Sequence, residues 1–388
     1  MSTGPSTEHR ALLADSVVDF ATRGTDIARV RKLRGTSAEY DRTLWTKMAE
    51  LGWLGILVPE RYGGLGLGLT EMAIVARGLA RGLAPEPLAG AAVLAASALV
   101  AADNEALKRE QLPRLVAGQM LPALAWQEDA GGLDPSAIRA SATPFEGGYK
   151  LNGVKRFIAG SAQADAFLVT ARARDGIVLL WLPRETAGAR LELETLADGR
   201  AFGTLELKDA LAPKAQVAAS GAAAAAALAL AFDHANAIAA AELAGVMDRA
   251  LEMSLDYLKT RVQFGKPIGS FQALQHRAVD LHIHKEVANA VLEESLAALD
   301  RRPAAAARAA AASRVKARCA EAALKITREA IQLHGAIGFT DDYDAGLYLK
   351  RALTLAAWLG GATWHRRRYL RLTAAAKGEG GREKGGAR

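Results

Sequence analysis

At 388 residues the chain is too long for one small core, and 51% hydrophobic against 23% charged residues places it among globular, water-soluble proteins. The one cysteine, Cys319, excludes an internal disulfide and fits a reducing, cytoplasmic setting; its helical neighbours RVKARCAEAALKI predict a buried structural thiol. The net charge of +7 comes partly from the tail KGEGGREKGGAR, and the rest lacks the basic and aromatic alternation of single-strand binders, so nucleic acid is not the expected partner.

In chain order, MSTGPSTEHRALLADS has no apolar core and does not read as a signal peptide. From 11 to about 118 the spacing of apolar residues is helical, as in DRTLWTKMAELGWLGI and LTEMAIVARGLARGL, with a glycine-rich loop over 54–69. From about 120 to 212 the pattern turns to β: GGYKLNGVKRFIAG, ADAFLVTARA, GIVLLWLP and RLELETL are short apolar or alternating runs parted by Gly, Asp and Pro. Beyond it, long helices are predicted over 222–260, 271–299, 304–333 and 343–375, the last interrupted by Gly360-Gly361, and joined as an antiparallel bundle. The run VAASGAAAAAALALAF is mostly alanine and is not expected to span a membrane. The fold class is thus α+β: an N-terminal helical domain (1–119), a central β-barrel-like domain (120–213), a C-terminal four-helix bundle (214–375) and a disordered tail (376–388).

Two connections in the bundle carry candidate chemistry. RVQFGKPIGSFQ (261–272) sets an arginine, an aromatic, two glycines and a glutamine on one loop, groups that suit a pyrophosphate; an ordinary turn with an exposed arginine explains the same residues. QLHGAIGFTDDYDAGLYLKRA (332–352) ends a helix at Gly335 and turns through Gly338.

Taken together with MAELGWLGILVPERYGGLGL (48–67) and GYKLNGVKRFIAGSAQADAFLVTARA (148–173), these loops closely resemble the acyl-CoA dehydrogenase family of flavoproteins, over about 15–375. The resemblance implies FAD held between the β-domain and the bundle, with a neighbouring subunit completing the site. It implies an acyl-CoA substrate, α-proton removal by a carboxylate with β-hydride transfer to the flavin, electron-transfer flavoprotein or a similar acceptor, and a homotetramer or a heterotetramer with a paralogous subunit. By the same resemblance Arg261, Phe264 and Gln272, with Gln332, Gly335 and Ala336, face the pyrophosphate and adenosine part of a FAD held mainly by the partner.

The sequence also departs from the family. Relatives carry a segment like TEPGAGSD where this chain has QEDAGGLD, beginning at Gln127, and the usual flavin-holding hydroxyl falls on Leu133. In the second flavin segment stand Phe157 and Ala159; the latter lacks the usual hydroxyl, for which Ser161 is a candidate substitute. The usual glutamate positions are occupied by Gly360, nine residues after Arg351, and by Ala235, 26 before Arg261. Glu242, seven residues beyond Ala235 and on the same helix face, is the candidate base, against the simpler reading of a helix polar pair or subunit contact. Asp233 is expected to face away as a solvent or capping group; His276, His282 and His284 read as helix surface or subunit interface; HRRR (365–368) reads as surface or subunit contact; no metal site is predicted. Three functions stay open: a working dehydrogenase with a displaced base, a base-lacking partner subunit of a heteromeric enzyme for bulky or steroid side-chain CoA thioesters, and a flavoenzyme of this fold with a non-CoA substrate.

Overall fold

The apolar three-and-four spacing of the N-terminal stretch becomes helices α1 (Thr7–Gly24), α2 (Ile27–Leu33), α3 (Arg42–Glu50) and α4 (Leu69–Arg81). They come from a computed structural model that describes residues 7–24, 27–34, 36, 40, 42–134 and 137–383. Between α3 and α4 the glycine-rich stretch holds only single 3-10 turns; Gly64 is required there because a Cβ would lie 2.1 Å from the carbonyl oxygen of Val58. A buried π-helical segment (Leu88–Ala95) leads into α5 (Ala96–Ala101). α6 (Glu105–Val116) starts where the Asn104 side chain accepts from the Leu107 N–H at 3.0 Å, a conventional N-cap.

Eight strands follow: β1 (Pro122–Ala125), β2 (Ser141–Phe145), β3 (Gly148–Ala159), β4 (Ala166–Ala173), β5 (Gly176–Pro183), β6 (Ala189–Thr195), β7 (Ala201–Pro213) and β8 (Val217–Ser220). They run in the order β6-β7-β3-β2-β4-β5-β8, with β1 paired in parallel to β4. β6 and β8 are the two ends of this path, and the strands make up the central β domain of the expected α+β fold. β8 corrects the boundary placed at 213: it pairs antiparallel with β5, and the helical part begins only at Gly221, whose φ of 55° turns the chain.

Then come α7 (Gly221–Thr260), the hairpin of β9 (Val262–Gln263) and β10 (Lys266–Pro267), α8 (Gln272–Asp300), α9 (Ala305–His334), α10 (Ala345–Ala357) and α11 (Ala362–Glu383). The interruption expected at Gly360-Gly361 covers 358–361 and divides the stretch into two helices, and α11 continues through Glu383 into the predicted tail because extending a helix costs far less than starting one. The rest of that tail, 384–388, lies outside the described residues. By length and composition α7 is able to cross a membrane, but 61% of its most apolar window is buried in the protein, as in a core helix.

The chain separates into two compact units. One takes residues up to 15, 22–72 and 85–235, so the N-terminal helices and the sheet share it; the other takes 16–21, 73–84 and residues from 236 on. Within the first, the core is built on Trp45, Trp53, Tyr62, Phe167 and the apolar strands β4 and β5, and Arg29 pairs with the buried Glu86. Within the second, small residues let the helices close up: a Cβ on Gly245 of α7 would meet the Arg77 carbonyl at 2.1 Å. Arg77 and Arg81 pair with Asp248 and Glu252, each at 2.8 Å, and the buried Arg351 donates to the carbonyls of Leu83 and Ala84 at 3.1 Å.

Candidate functional site

In the first unit the two segments expected to meet the flavin lie side by side. The Arg156 N–H donates to the Gln127 carbonyl at 2.7 Å, and the buried Gln127 carboxamide donates to the Asp129 carbonyl at 2.9 Å. The β3–β7 register skips between Lys155 and Ile158, and inside that bulge Phe157 takes a φ of 55° with its ring half-buried. Ala159 is half-buried, and Gly90 of the π-helical segment approaches its carbonyl so closely that a Cβ there would stand at 3.3 Å. Ser161, the candidate substitute for the hydroxyl missing at Ala159, is fully buried; its Oγ has no hydrogen-bond partner among the described residues and lies 2.4 Å from where a Cβ on Gly203 of β7 would sit.

What anchors the first segment is a pair that strand periodicity alone did not reveal. Lys155 is fully buried and donates to Glu128 Oε1 at 2.6 Å, to Thr170 Oγ1 at 3.2 Å and to the Trp126 carbonyl at 3.4 Å. Glu128 also accepts the N–H groups of Arg139 and Ala140 at 2.9 and 3.0 Å. Burial brings the ammonium down to about 8 despite the carboxylate beside it; those hydrogen bonds outweigh burial at Glu128 and hold it below the usual carboxylate range. A cavity of about 320 Å³ opens here, lined by Trp126, Glu128, Asp129, Ile138, Arg139 and Arg172. The signal in the sequence was a lysine at an inward strand position. On α7, Phe232 packs edge-on against Trp126 with ring centroids 4.2 Å apart, and His234 Nδ1 meets Ser97 Oγ at 3.0 Å. Asp233 is fully buried rather than a solvent or capping group, because α7 is covered on that side too. Ala235 is fully buried.

In the second unit an aromatic cluster brings the two candidate loops together. The ring of the buried His334 lies 4.5 Å, centroid to centroid, from both Tyr257 and Tyr343, which are 6.4 Å from each other, and Tyr257 O accepts from the Arg261 N–H at 2.8 Å. Burial lowers the His334 pKa, so its imidazole is neutral as His334 Nδ1 meets the Ala330 carbonyl at 2.7 Å. The loop 261–272 is the β9–β10 hairpin, turned by Phe264 and Gly265 at φ 55° and 79°; the Phe264 side chain is 89% exposed. Arg261, Gln272 and Gln332 are exposed, with no side-chain partner among the described residues, and Gly335 (φ 65°) and Ala336 lie exposed beside an 81% exposed Phe339.

The residues expected to do proton chemistry fare differently. Glu242 is half-buried on α7. Gly360 is buried at φ 110°, where a Cβ would stand 2.9 Å from a ring carbon of Trp364 and 3.1 Å from His365 Nε2. Of HRRR, His365 is fully buried rather than at the surface, and Arg368 donates to Ser313 Oγ at 3.0 Å. His276 and His282 are exposed on α8; His284 is half-buried against Arg318, and burial with the neighbouring Lys325 and Arg318 lowers its pKa. Among the described residues no group of His, Cys, Asp and Glu could hold a metal ion. Burial drives the Cys319 thiol up to about 12, as befits a structural cysteine.

Three family patterns cover nearly all of this chain: the N-terminal domain of acyl-CoA dehydrogenases matches 7–119, the middle domain 123–210 and the C-terminal domain 220–371. Acyl-CoA dehydrogenase IpdE2 of Mycobacterium tuberculosis is 31% identical over 348 residues, 89% of this chain and 91% of that protein. Among solved structures, a single-residue variant of the Tcur3481-Tcur3483 steroid ACAD is 29% identical with a TM-score of 0.86, covering 96% of this chain and 99% of its own. The ChsE4-ChsE5 complex from Mycobacterium tuberculosis is 26% identical at the same TM-score, covering 95% and 98%. The chain belongs to the acyl-CoA dehydrogenase family, whose members are oxidoreductases acting on CH–CH bonds.

Proposed function

We propose that this chain is one subunit of a two-polypeptide acyl-CoA dehydrogenase, giving binding groups to a flavin site while bringing no carboxylate to either position where relatives carry their base. One contrast carries the reading. Arg261, Gln272 and Gln332 stand exposed and uncommitted, whereas the Gly360 turn is closed against any larger side chain. The names of the two similar solved structures, each joining two polypeptides, support a heteromer, and the word steroid in one of them supports a bulky acyl thioester as substrate.

FAD fits the residues present. Arg261 offers a guanidinium to a pyrophosphate, Gln272 and Gln332 offer carboxamides, and Gly335 and Ala336 offer exposed backbone. Phe157, half-buried on its bulge, and Ala159, close under Gly90, provide an apolar and backbone surface for the ring system, with no hydroxyl at Leu133 or Ala159. When bound, FAD supplies the acceptor for the hydride that leaves the β-carbon of the thioester. This chain binds and orients; the α-proton passes to a carboxylate of the other subunit. The visible spectrum tests the reading: the chain purified alone is expected to be colourless and the co-expressed pair yellow. A yellow isolated chain that bleaches with an acyl-CoA would sink it.

A second reading rests on Glu242, a half-buried carboxylate in the middle of α7. As the base it would take the α-proton within this chain. Glu242→Gln would then abolish turnover without loss of colour, and unchanged turnover removes it.

A further inference from the structure

Lys316 of α9 is fully buried, and its Nζ reaches three main-chain carbonyl oxygens: Trp358 at 2.6 Å, Gly360 at 3.1 Å and Ala356 at 3.5 Å. These belong to the end of α10 and the turn that joins it to α11, where a helix leaves carbonyls without partners and carries partial negative charge. An ammonium has three hydrogens, one for each acceptor. Among the described residues no carboxylate pairs with it, so main-chain dipoles answer its charge. Burial opposes that charge and brings the group down to about 7, while hydrogen bonds made by the charged form favour it.

The same turn is held from α11. The Leu359 carbonyl can only accept, so His365 Nε2 donates to it at 3.1 Å. The carbonyls of Leu359 and Gly360 belong to the two peptide planes that flank Gly360, and each is therefore tied to a buried side chain. The turn needs holding: Leu359 and Gly360 both have positive φ, 58° and 110°, and a left-handed leucine is a strained conformation.

We propose that the Ala356, Trp358 and Gly360 carbonyls form a site for a small ammonium cation, which the chain fills with its own Lys316 side chain, and that Lys316 thereby positions residue 360. Converging main-chain carbonyls of this kind replace the water around a monovalent cation. The site lies within one compact unit and stands whether or not the flavin reading holds. Two accounts of this lysine are separable. If its methylenes merely fill space, a neutral molecule of the same length serves equally well. If the carbonyls bind a cation, the charge is required.

Lys316→Ala removes the equivalent of n-propylamine, which can be returned as n-propylammonium chloride. Amide hydrogen exchange of the full chain at about pH 6, where the wild-type lysine is charged, is read on a peptide spanning 356–362. The Trp358 and Gly360 amides, bonded to Thr354 O and Ala357 O at 3.0 and 3.1 Å, are the reporters. The variant is expected to lose about tenfold of their protection, with α7 peptides unchanged. Protection should return in n-propylammonium, and not in 1-propanol or sodium chloride at the same concentration. The Tm of the variant should rise with the amine, and that of the wild type should not. A folded variant with wild-type protection would overturn the proposal, and so would equal recovery in propanol or no recovery in the amine. A variant that folds only with the amine present supports the site; one that folds in neither condition overturns it.

Discussion

Gly360, which we propose stands where relatives hold a catalytic glutamate, lies in surroundings that bar more than one side-chain change. At φ 110°, with Trp364 and His365 at 2.9 and 3.1 Å from the site of a Cβ, the position excludes every L side chain without moving the turn. Gly360→Glu is therefore expected to destabilise the fold, by about 2–4 kcal/mol, and to confer no dehydrogenase activity. Urea unfolding and an acyl-CoA assay check both halves. His365 gives the residue-scale pH dependence. Burial, then the charges of Lys316 and Arg368, push its imidazole down to about 3, while the unfolded chain titrates near the ordinary 6.5. Between those values the unfolded state binds a proton that the folded state refuses, so stability present above about 6.5 is lost as pH falls toward about 3. The loss approaches about 1.4 kcal/mol per pH unit from this one group. In His365→Gln the slope of unfolding free energy between neutral and mildly acid pH should be shallower by up to that amount.

At the scale of elements, the segment beginning at Gln127 owes its place to the Lys155–Glu128 pair. Removing one partner of a buried ion pair typically costs about 3–5 kcal/mol, softened here because Glu128 keeps two backbone donors. Lys155→Met should lower stability by about 2–4 kcal/mol and make 127–139 more open to proteolysis, measurable by denaturation and limited digestion. Helix and strand types were legible from periodicity: the break between the helices predicted over 271–299 and 304–333, the α9 end at Gly335 and the strands β3 to β6 stand where the pattern placed them. β1, β2 and β8 are too short to show a period, and β7 lay in a stretch recognised as β without being picked out. The partners of the buried lysines Lys155 and Lys316 were not legible, because Glu128 lies 27 residues from the first and the three carbonyls lie 40 to 44 residues from the second. Of the candidate site, the residues of the two bundle loops were singled out from order and spacing, and Arg261, Gln272 and Gln332 are exposed. Their meeting through Tyr257, His334 and Tyr343, the burial of His365 and Asp233 and the inward turn of Ser161 depend on packing, which one sequence does not display.

Over the whole molecule, family membership and function separate. The fold and its three matched domains extend along almost the full chain, while the two positions we propose for the proton-abstracting carboxylate hold Gly360 and Ala235. Exposed Phe264 and Phe339, set beside uncommitted Arg261, Gln272 and Gln332, are what a chain would present if another subunit's flavin lay against it. In the co-expressed complex, Arg261→Ala should weaken FAD retention by about tenfold or more, with the subunits still associated, as gel filtration with absorbance at flavin wavelengths would show. The most direct test of the central claim is the ratio of FAD to protein chains, measured on the chain purified alone and on its complex with a paralogous subunit. A two-polypeptide dehydrogenase predicts essentially no FAD on the isolated chain and flavin appearing only with the complex. One FAD per isolated chain, reduced on addition of an acyl-CoA, would contradict it.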